Sequence, residues 1–354
     1  MINRGNEEKY KDNLKSILAR IPGLMVLAIR DEFPIGTRKV DFDVIYRLED
    51  KTYNLIVEVR VQGTPLAIRT TIDSLRNLIP QGAEGKLYPI IAVPYVSALG
   101  MQICREAKVG CIDLAGNCYL NFGPVYIEVK GNQNPAPIKR SASLFSPKSS
   151  RISRVLLCNV KKLWQVQELA EEAVVSIGLA SRIKELLIEE GFLIEENRLI
   201  KLINARMLLD AWRASYSYKK NRIREFYSTG DTTTIETTVQ AYCSDKKILC
   251  ALTLFSGASR VAPHVIMNKA FLYVERGVDD LMDTLGFKPA VSGANIMLLE
   301  PYDGGVFYQP QRMADDTIVS DVQLYLDLIK YKGRGEEAAE FLRQVRLQKV
   351  WQSI

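Results

Sequence analysis

Asp41, Asp43, Glu58 and Arg60 are the residues of this chain whose types and spacing could do chemistry. In VDFDVIY the two aspartates share one face of a strand. In YNLIVEVRVQ, Glu58, Arg60 and Gln62 share one face of the next, while Leu55, Val57, Val59 and Val61 face the other way. Two carboxylates from adjacent strands, Asp43 and Glu58 in this reading, can bind a hard divalent cation such as Mg2+ and activate water against a phosphodiester. Arg60 stays protonated near neutrality, so it can grip a phosphate but takes no proton from water. A charged hairpin face closed by an Asp43–Arg60 or Glu58–Arg60 pair needs no catalysis, and both readings stand.

The elements that must position these groups can be read around them. Residues 6–20 have helical spacing, and Leu24–Ile29, Val40–Leu48 and Tyr53–Val61 are strand-like runs. Residues 65–79 form a helix with Pro65 in its first turn. Tyr88–Val93 is a strand, Ser97–Ala107 a helix and Gly110–Leu114 a strand, with further strands through Val129. This order describes one α/β domain with a partly parallel sheet. Over about 25–115 it resembles the PD-(D/E)XK, restriction-endonuclease-like fold. That resemblance implies Asp41 or Asp43 as the first acid, Glu58 as the second, and Arg60 where the family has lysine. With that departure, three readings stay open: an active nuclease, a nuclease-like fold without cleavage, and an unrelated α/β domain.

Other reaction classes find little support. Cys104, Cys111, Cys118, Cys158, Cys243 and Cys250 form no C-x-x-C pair, and His264 is the one histidine, so neither a zinc site nor a histidine-based triad is expected. The seven-residue intervals from Cys104 to Cys111 to Cys118, and from Cys243 to Cys250, match no metal motif and read as buried reduced thiols. Hydrophobic content of 47% and charged content of 25% suit a soluble globular protein. The polar N-terminus lacks an apolar h-region, and no run approaches the roughly 18–20 apolar residues that span a bilayer. A cytoplasmic protein without a membrane partner is expected.

Charge is unevenly placed. Residues 129–224 hold 18 basic and 9 acidic residues, a net of +9, while the whole chain is +6. Val129 to Gln167 contains no acid but carries Lys130, Lys139, Arg140, Lys148, Arg151, Arg154, Lys161 and Lys162. Such a stretch suits a phosphate backbone, because neutralising phosphates releases counterions. It runs into a helical pattern: Ile152, Val155, Leu156, Val160 and Leu163 form one stripe, and QVQELAEE a second, short helix. Ser176 then caps a third helix lined by Leu179, Ile183, Leu186 and Leu187 and ended by Gly191. Phe192–Ile194 and Arg198–Leu202 flank Glu195, Glu196 and Asn197 as strands of a hairpin would. Three helices and a wing make a winged helix-turn-helix, whose third helix can enter the major groove. Ser176, Ser181, Arg182 and Lys184 are its candidate contacts, Arg198 the wing's, and Lys148, Arg151 and Arg154 the flank's. The same architecture also docks proteins, and Glu185, Glu189, Glu190, Glu195 and Glu196 would repel phosphate if they faced it.

CALTLFSGASRVAPHV (250–265), SGANIMLLEPYDGGVFY (292–308) and IVSDVQLYLDLIKYKGRGEEAAEFL (318–342) describe a packed α/β domain with no evident reaction centre; Ser320 caps a helix there and Gly333-Arg334-Gly335 breaks the chain. With LLDAWRASY (208–216) they resemble the AbiEi family of type IV toxin–antitoxin antitoxins over about 150–350. The resemblance implies a winged helix that represses its own operon and a second domain that counteracts a nucleotidyltransferase-like toxin. Better-known members begin with the winged helix, whereas here residues 1–150 precede it.

The expected organisation is α/β and multidomain: a restriction-endonuclease-like domain at 1–130, a linker at 131–150, a winged helix-turn-helix with trailing helix at 151–224 and a C-terminal mixed α/β domain at 225–354. Double-stranded DNA and a cognate toxin are the expected partners, with no cofactor required. Repressors often dimerise to match two half-sites, so a homodimer is one expected state, although no heptads support a coiled coil. The alternative is a Mg2+-dependent endonuclease in which Asp43 and Glu58 hold the metal and Asp41 and Arg60 complete the site; a third reading is a protein-interaction adaptor.

Overall fold

The computed structural model describes residues 4–35, 38–79, 87–132 and 144–351. The chain is mixed α/β and divides into two compact units, 1–138 with 188–191, and 139–187 with 192–354. No described helix is long and apolar enough to cross a membrane.

The first unit is a seven-stranded sheet in sequence order. Its strands are β1 (Leu24–Ile35), β2 (Arg38–Leu48), β3 (Lys51–Val59), β4 (Leu87–Val93), β5 (Gly110–Asp113), β6 (Cys118–Phe122) and β7 (Val125–Val129). Pairing is antiparallel from β1 to β3, parallel from β3 to β5 and antiparallel again to β7. The parallel steps require crossovers, which α2 (Pro65–Leu78) and α3 (Ala98–Ala107) provide. Alternation decides the faces: Phe42, Val44, Tyr46 and Leu48 of β2 and Leu55, Val57 and Val59 of β3 enter one core, which Tyr10, Leu14 and Leu18 of α1 (Arg4–Leu18) cover. β1 extends six residues beyond the run expected for it, since Arg30, Asp31 and Phe33 to Ile35 continue the ladder against β2.

Helix α2 starts where Thr64 accepts the Ala67 amide hydrogen at 3.3 Å, and α3 where Ser97 accepts that of Gly100 at 3.1 Å. Replacing Ser97 with Ala orphans one amide of the first turn. Denaturant unfolding of Ser97→Ala is expected to show a loss of about 1 kcal/mol, and Ser97→Gly a smaller one. Buried Asp113, at the end of β5, binds the amides of Val96, Ala115 and Asn117 at 2.8–3.0 Å and so fixes the loops at that end of the sheet.

Part of the expected 131–150 linker, including Lys139 and Arg140, lies outside the described residues; the rest is not all linker, because α4 (Pro147–Cys158) begins inside it. Helices α4, α5 (Val166–Glu172) and α6 (Ile177–Glu189) lead into the hairpin β8 (Leu193–Glu196) and β9 (Leu199–Leu202). Asn197 and Arg198 form its two-residue turn, both at positive φ (51° and 65°), which matches the strand twist and displaces the expected Glu195–Asn197 loop. Trp164, between α4 and α5, exchanges both backbone hydrogen bonds with Ile200 at 2.8–3.0 Å, adding a third strand position to the hairpin.

Helix α7 (Ala205–Ser215) precedes a second seven-stranded sheet, ordered β13-β10-β14-β12-β11-β16-β15. These strands are β10 (Arg222–Tyr227), β11 (Cys250–Leu252), β12 (Ala270–Val274), β13 (Lys288–Pro289), β14 (Ile296–Glu300), β15 (Gln311–Met313) and β16 (Asp316–Ile318). Helices α8 (Thr232–Asp245) and α10 (Val278–Leu285) bury Ile235, Val239, Val278 and Leu281 in one core with Phe226, Leu272 and Leu298. Helices α9 (Leu254–Val261), α11 (Asp321–Ile329) and α12 (Gly335–Leu342) pack together, and α11 also meets α4. The expected boundary between 224 and 225 therefore fails: it cuts β10, which lies between β13 and β14, and residues on either side of it belong to one compact unit. A strand cannot be divided between two cores when both of its edges are hydrogen-bonded.

Candidate nucleic-acid interface and carboxylate hairpin

On the β2–β3 hairpin, the register that pairs Phe42 with Val57 sets Asp41 opposite Glu58. The Val59 amide donates to Asp41 Oδ2 at 2.6 Å. Burial raises the Asp41 pKa, the Val59 hydrogen bond lowers it, and neighbouring Glu58 raises it further, with the net shift upward. Glu58 binds Arg60 Nη2 at 2.7 Å through Oε1, while its buried Oε2 lacks a hydrogen-bond partner. Arg60 also donates to Thr71 Oγ1 and to the Val59 carbonyl, each at 2.9 Å. Asp43 is fully buried elsewhere: Arg30, directly across on β1, holds both of its oxygens at 2.5 and 3.1 Å. The Asp43–Glu58 pairing expected for a metal is thus replaced by Asp41 opposite Glu58, and the ion pair is Glu58–Arg60 rather than Asp43–Arg60. No group of three or more His, Cys, Asp or Glu side chains suited to a metal occurs among the described residues. A cleft beside the hairpin is lined by Arg38, Lys39, Glu58, Arg60 and Thr70.

The candidate DNA contacts separate into two groups. Ser176 accepts the Leu179 amide hydrogen at 3.3 Å and caps α6. Gly178, Ser181, Arg182 and Glu185 follow one helical face: Arg182, Gly178 and Glu185 are exposed, Ser181 is half-buried, and a Cβ on Gly178 would meet nothing within 4 Å. Arg198 is exposed at the hairpin tip, and Lys148 on the first turn of α4.

Lys184, Arg151 and Arg154 are corrections. Lys184 is buried between Glu195 at 2.6 Å and Glu185 at 3.0 Å. Burial opposes its charge, but the two carboxylates outweigh it and raise its pKa. Arg151 forks onto Asp303 at 2.9–3.1 Å and donates to the Val174 carbonyl at 3.2 Å. Arg154 is 2% exposed, reaches Gln323 Oε1 at 2.5 Å and lies over the Trp212 ring, 4.9 Å from its centroid. These guanidiniums hold α4 to the second sheet and its helices, because α4 is buried on nearly all sides.

Beneath α4 lies a polar core that the sequence did not reveal. Buried Asp327 accepts from Tyr216 Oη, from Thr253 Oγ1 at 2.6 Å, from Gln323 Nε2 at 2.9 Å and from Tyr273 Oη at 3.1 Å. Burial raises its pKa, and the four donors oppose the shift. Every donor comes from a different element, so the carboxylate fixes α11 against α7, β12 and the start of α9. His264 stacks on Phe341 at 4.4 Å between ring centroids and pairs with Glu337 at 2.9 Å, a structural setting.

Residues 201–348 match the family model described as transcriptional regulator, AbiEi antitoxin, type IV toxin–antitoxin system. That segment contains the whole second sheet and helices α7 to α12. No curated protein matches the chain. Among solved structures, a complex of EndoMS with double-stranded DNA matches at 18% identity and a TM-score of 0.22, covering 29% of this chain and 42% of that one. A repair endonuclease from Pyrococcus abyssi matches at 14% identity and a TM-score of 0.20, covering 29% and 46%. The chain spans less than half the length of these solved chains.

Proposed function

We propose that this chain, whose residues 201–348 match the AbiEi antitoxin family, is a cytoplasmic DNA-binding regulator and antitoxin of a type IV toxin–antitoxin system. It represses its own operon by reading double-stranded DNA through a winged helix and counteracts a nucleotidyltransferase-like toxin. The observation that carries the DNA reading is the open face of α6: a capped N-terminus, small residues at Gly178 and Ser181 that permit close approach, and one fork-shaped donor, Arg182. The hairpin with Arg198 at its tip and the Trp164–Ile200 pairing support assigning α4 to β9 as the winged helix. Two copies reading two half-sites is the oligomeric form this proposal carries.

The test is a gel shift with DNA from upstream of the protein's own gene. Binding should weaken steeply as salt rises, because phosphate contacts release counterions. Absence of salt-sensitive binding overturns the proposal. Co-expression with the neighbouring toxin should restore growth that the toxin alone arrests.

A second reading has its own support in Asp41 opposite Glu58 and the unpartnered Glu58 Oε2, with the strand order of the first unit. Together with the cleft they fit a hard cation only in part, because Asp43 is occupied by Arg30. Asp41 and Glu58 would hold Mg2+, which would supply an activated water, while Arg60 orients Glu58 and offers its guanidinium to a phosphate. We favour a nuclease-like first unit that does not cleave. Plasmid incubated with the protein and Mg2+ or Mn2+ should therefore stay uncut. Nicking that Glu58→Gln abolishes would replace the regulator with the endonuclease.

A further inference from the structure

Two cysteine pairs in this chain share one local design. Cys104 and Cys111 flank the end of α3, and Cys243 and Cys250 flank the end of α8; in both, a lysine four residues after the first cysteine turns left-handed, Lys108 at φ 57° and Lys247 at φ 54°. The next amide then bonds back to the cysteine carbonyl, Val109 to Cys104 at 2.9 Å and Ile248 to Cys243 at 2.8 Å. This Schellman closure ends the helix and returns the chain as a strand alongside it. Residue i on the last turn and residue i+7 on the strand are therefore brought to the same end of the helix, and Cys243 and Cys250 line one cavity there.

Surroundings distinguish the pairs. Cys104 and Cys111 are both 0% exposed within the first unit. Cys243 is 1% exposed, but it and half-buried Cys250 line a cavity of about 470 Å³ whose wall includes Gln240, Phe307, Arg312 and Asp316. We propose that Cys243 and Cys250 are a redox-active dithiol that small oxidants reach through this cavity and close to a disulfide, while Cys104 and Cys111 stay reduced. The neighbouring Cys250 thiol lowers the Cys243 pKa, and Cys243 is taken as the attacking sulfur and Cys250 as the resolving one. With hydrogen peroxide as oxidant, the Cys243 thiolate attacks one oxygen, the O–O bond breaks, and the departing hydroxide takes a proton to leave as water. Cys250 sulfur then attacks the sulfenic sulfur of Cys243; the S–O bond breaks and the hydroxide leaves with the Cys250 proton. Two thiols are oxidised, and one peroxide is reduced to two waters. The bond staples the end of α8 to the start of β11.

The folded, full-length protein is treated with hydrogen peroxide, quenched with catalase, alkylated in denaturant and mapped by mass spectrometry without reduction. The expected result is a peptide linking Cys243 to Cys250, loss of two of the six thiols, and reversal by dithiothreitol. Cys104 and Cys111 should be recovered alkylated. Cys250→Ser, lacking the resolving thiol, should accumulate a sulfenic acid at Cys243 that dimedone traps; should this variant not fold, the wild-type map decides alone. A Cys243–Cys250 pair that remains alkylated, linkage in both pairs alike, or sulfonate without linkage overturns the proposal.

Discussion

Asp327→Ala is expected to destabilise the second unit by about 3–5 kcal/mol, read as a shift of the denaturant midpoint. The side chain is wholly buried and accepts from Tyr216, Thr253, Tyr273 and Gln323. Removing it deletes four charge-assisted or strong neutral hydrogen bonds and leaves buried hydroxyls facing a void. Each unsatisfied donor costs about 1–3 kcal/mol, reduced here because Gln323 Nε2 also donates to Tyr216 Oη at 2.8 Å. Asp327→Asn retains an acceptor oxygen and should lose less than half as much. The pH dependence follows from the raised pKa of Asp327. The folded state holds this proton over an interval above pH ~4 where the unfolded chain has released it. The contribution is therefore complete below the unfolded value and declines as pH rises through the folded one. Asp327→Asn should remove that decline; an unchanged stability–pH curve in the variant would contradict the assignment.

Arg182→Ala is expected to weaken operator binding by about 1–3 kcal/mol, roughly 5- to 150-fold in Kd. The side chain is exposed on the open face of α6 beside Gly178 and Ser181, and α6 is otherwise anchored by buried Ala180, Ile183 and Leu187. Truncation therefore leaves the fold intact. A base contact should leave the salt slope unchanged while relaxing sequence preference. Arg198→Ala, at the hairpin tip, should lower the slope by about one phosphate with little change in preference. Arg154→Met provides the contrast: it should lower stability and leave the affinity of the folded protein unchanged, because its guanidinium faces Gln323 and Trp212. Equal loss of affinity in all three variants would show that the face has been misidentified.

The difference between Arg182 and Arg154 also shows what could be read from the residues alone. Periodicity and caps located α2, α3, α6 and α11 within one or two residues, because Thr64, Ser97, Ser176 and Ser320 each satisfy a first-turn amide that only the following turn presents. Partners supplied by distant segments were not legible. Arg30 sits one residue past the strand run expected at 24–29, so its place opposite Asp43 required the full length of β1. Arg151 and Arg154 resembled a basic flank because Asp303 and Gln323 lie more than a hundred residues away. Lys184 satisfied the spacing of a groove-facing residue, yet the hairpin folds Glu195 back against it. The Asp327 core escaped notice for the same reason: α11 is buried all round, and a carboxylate in such a helix has no periodic signature. The antitoxin resemblance, by contrast, was legible in VQLYLDL and GRGEEAAEFL and is met over residues 201–348.

Because β10 is hydrogen-bonded on both edges and starts at Arg222, splitting the chain after residue 224 would not release a free-standing reader head. Either fragment would inherit half a strand, and the N-terminal one would expose α4 with its apolar sides and arginines stripped of Asp303 and Gln323. Under the proposed DNA reading, specificity would have to be exchanged by resurfacing α6 in place, since swapping whole modules would tear the scaffold that holds it.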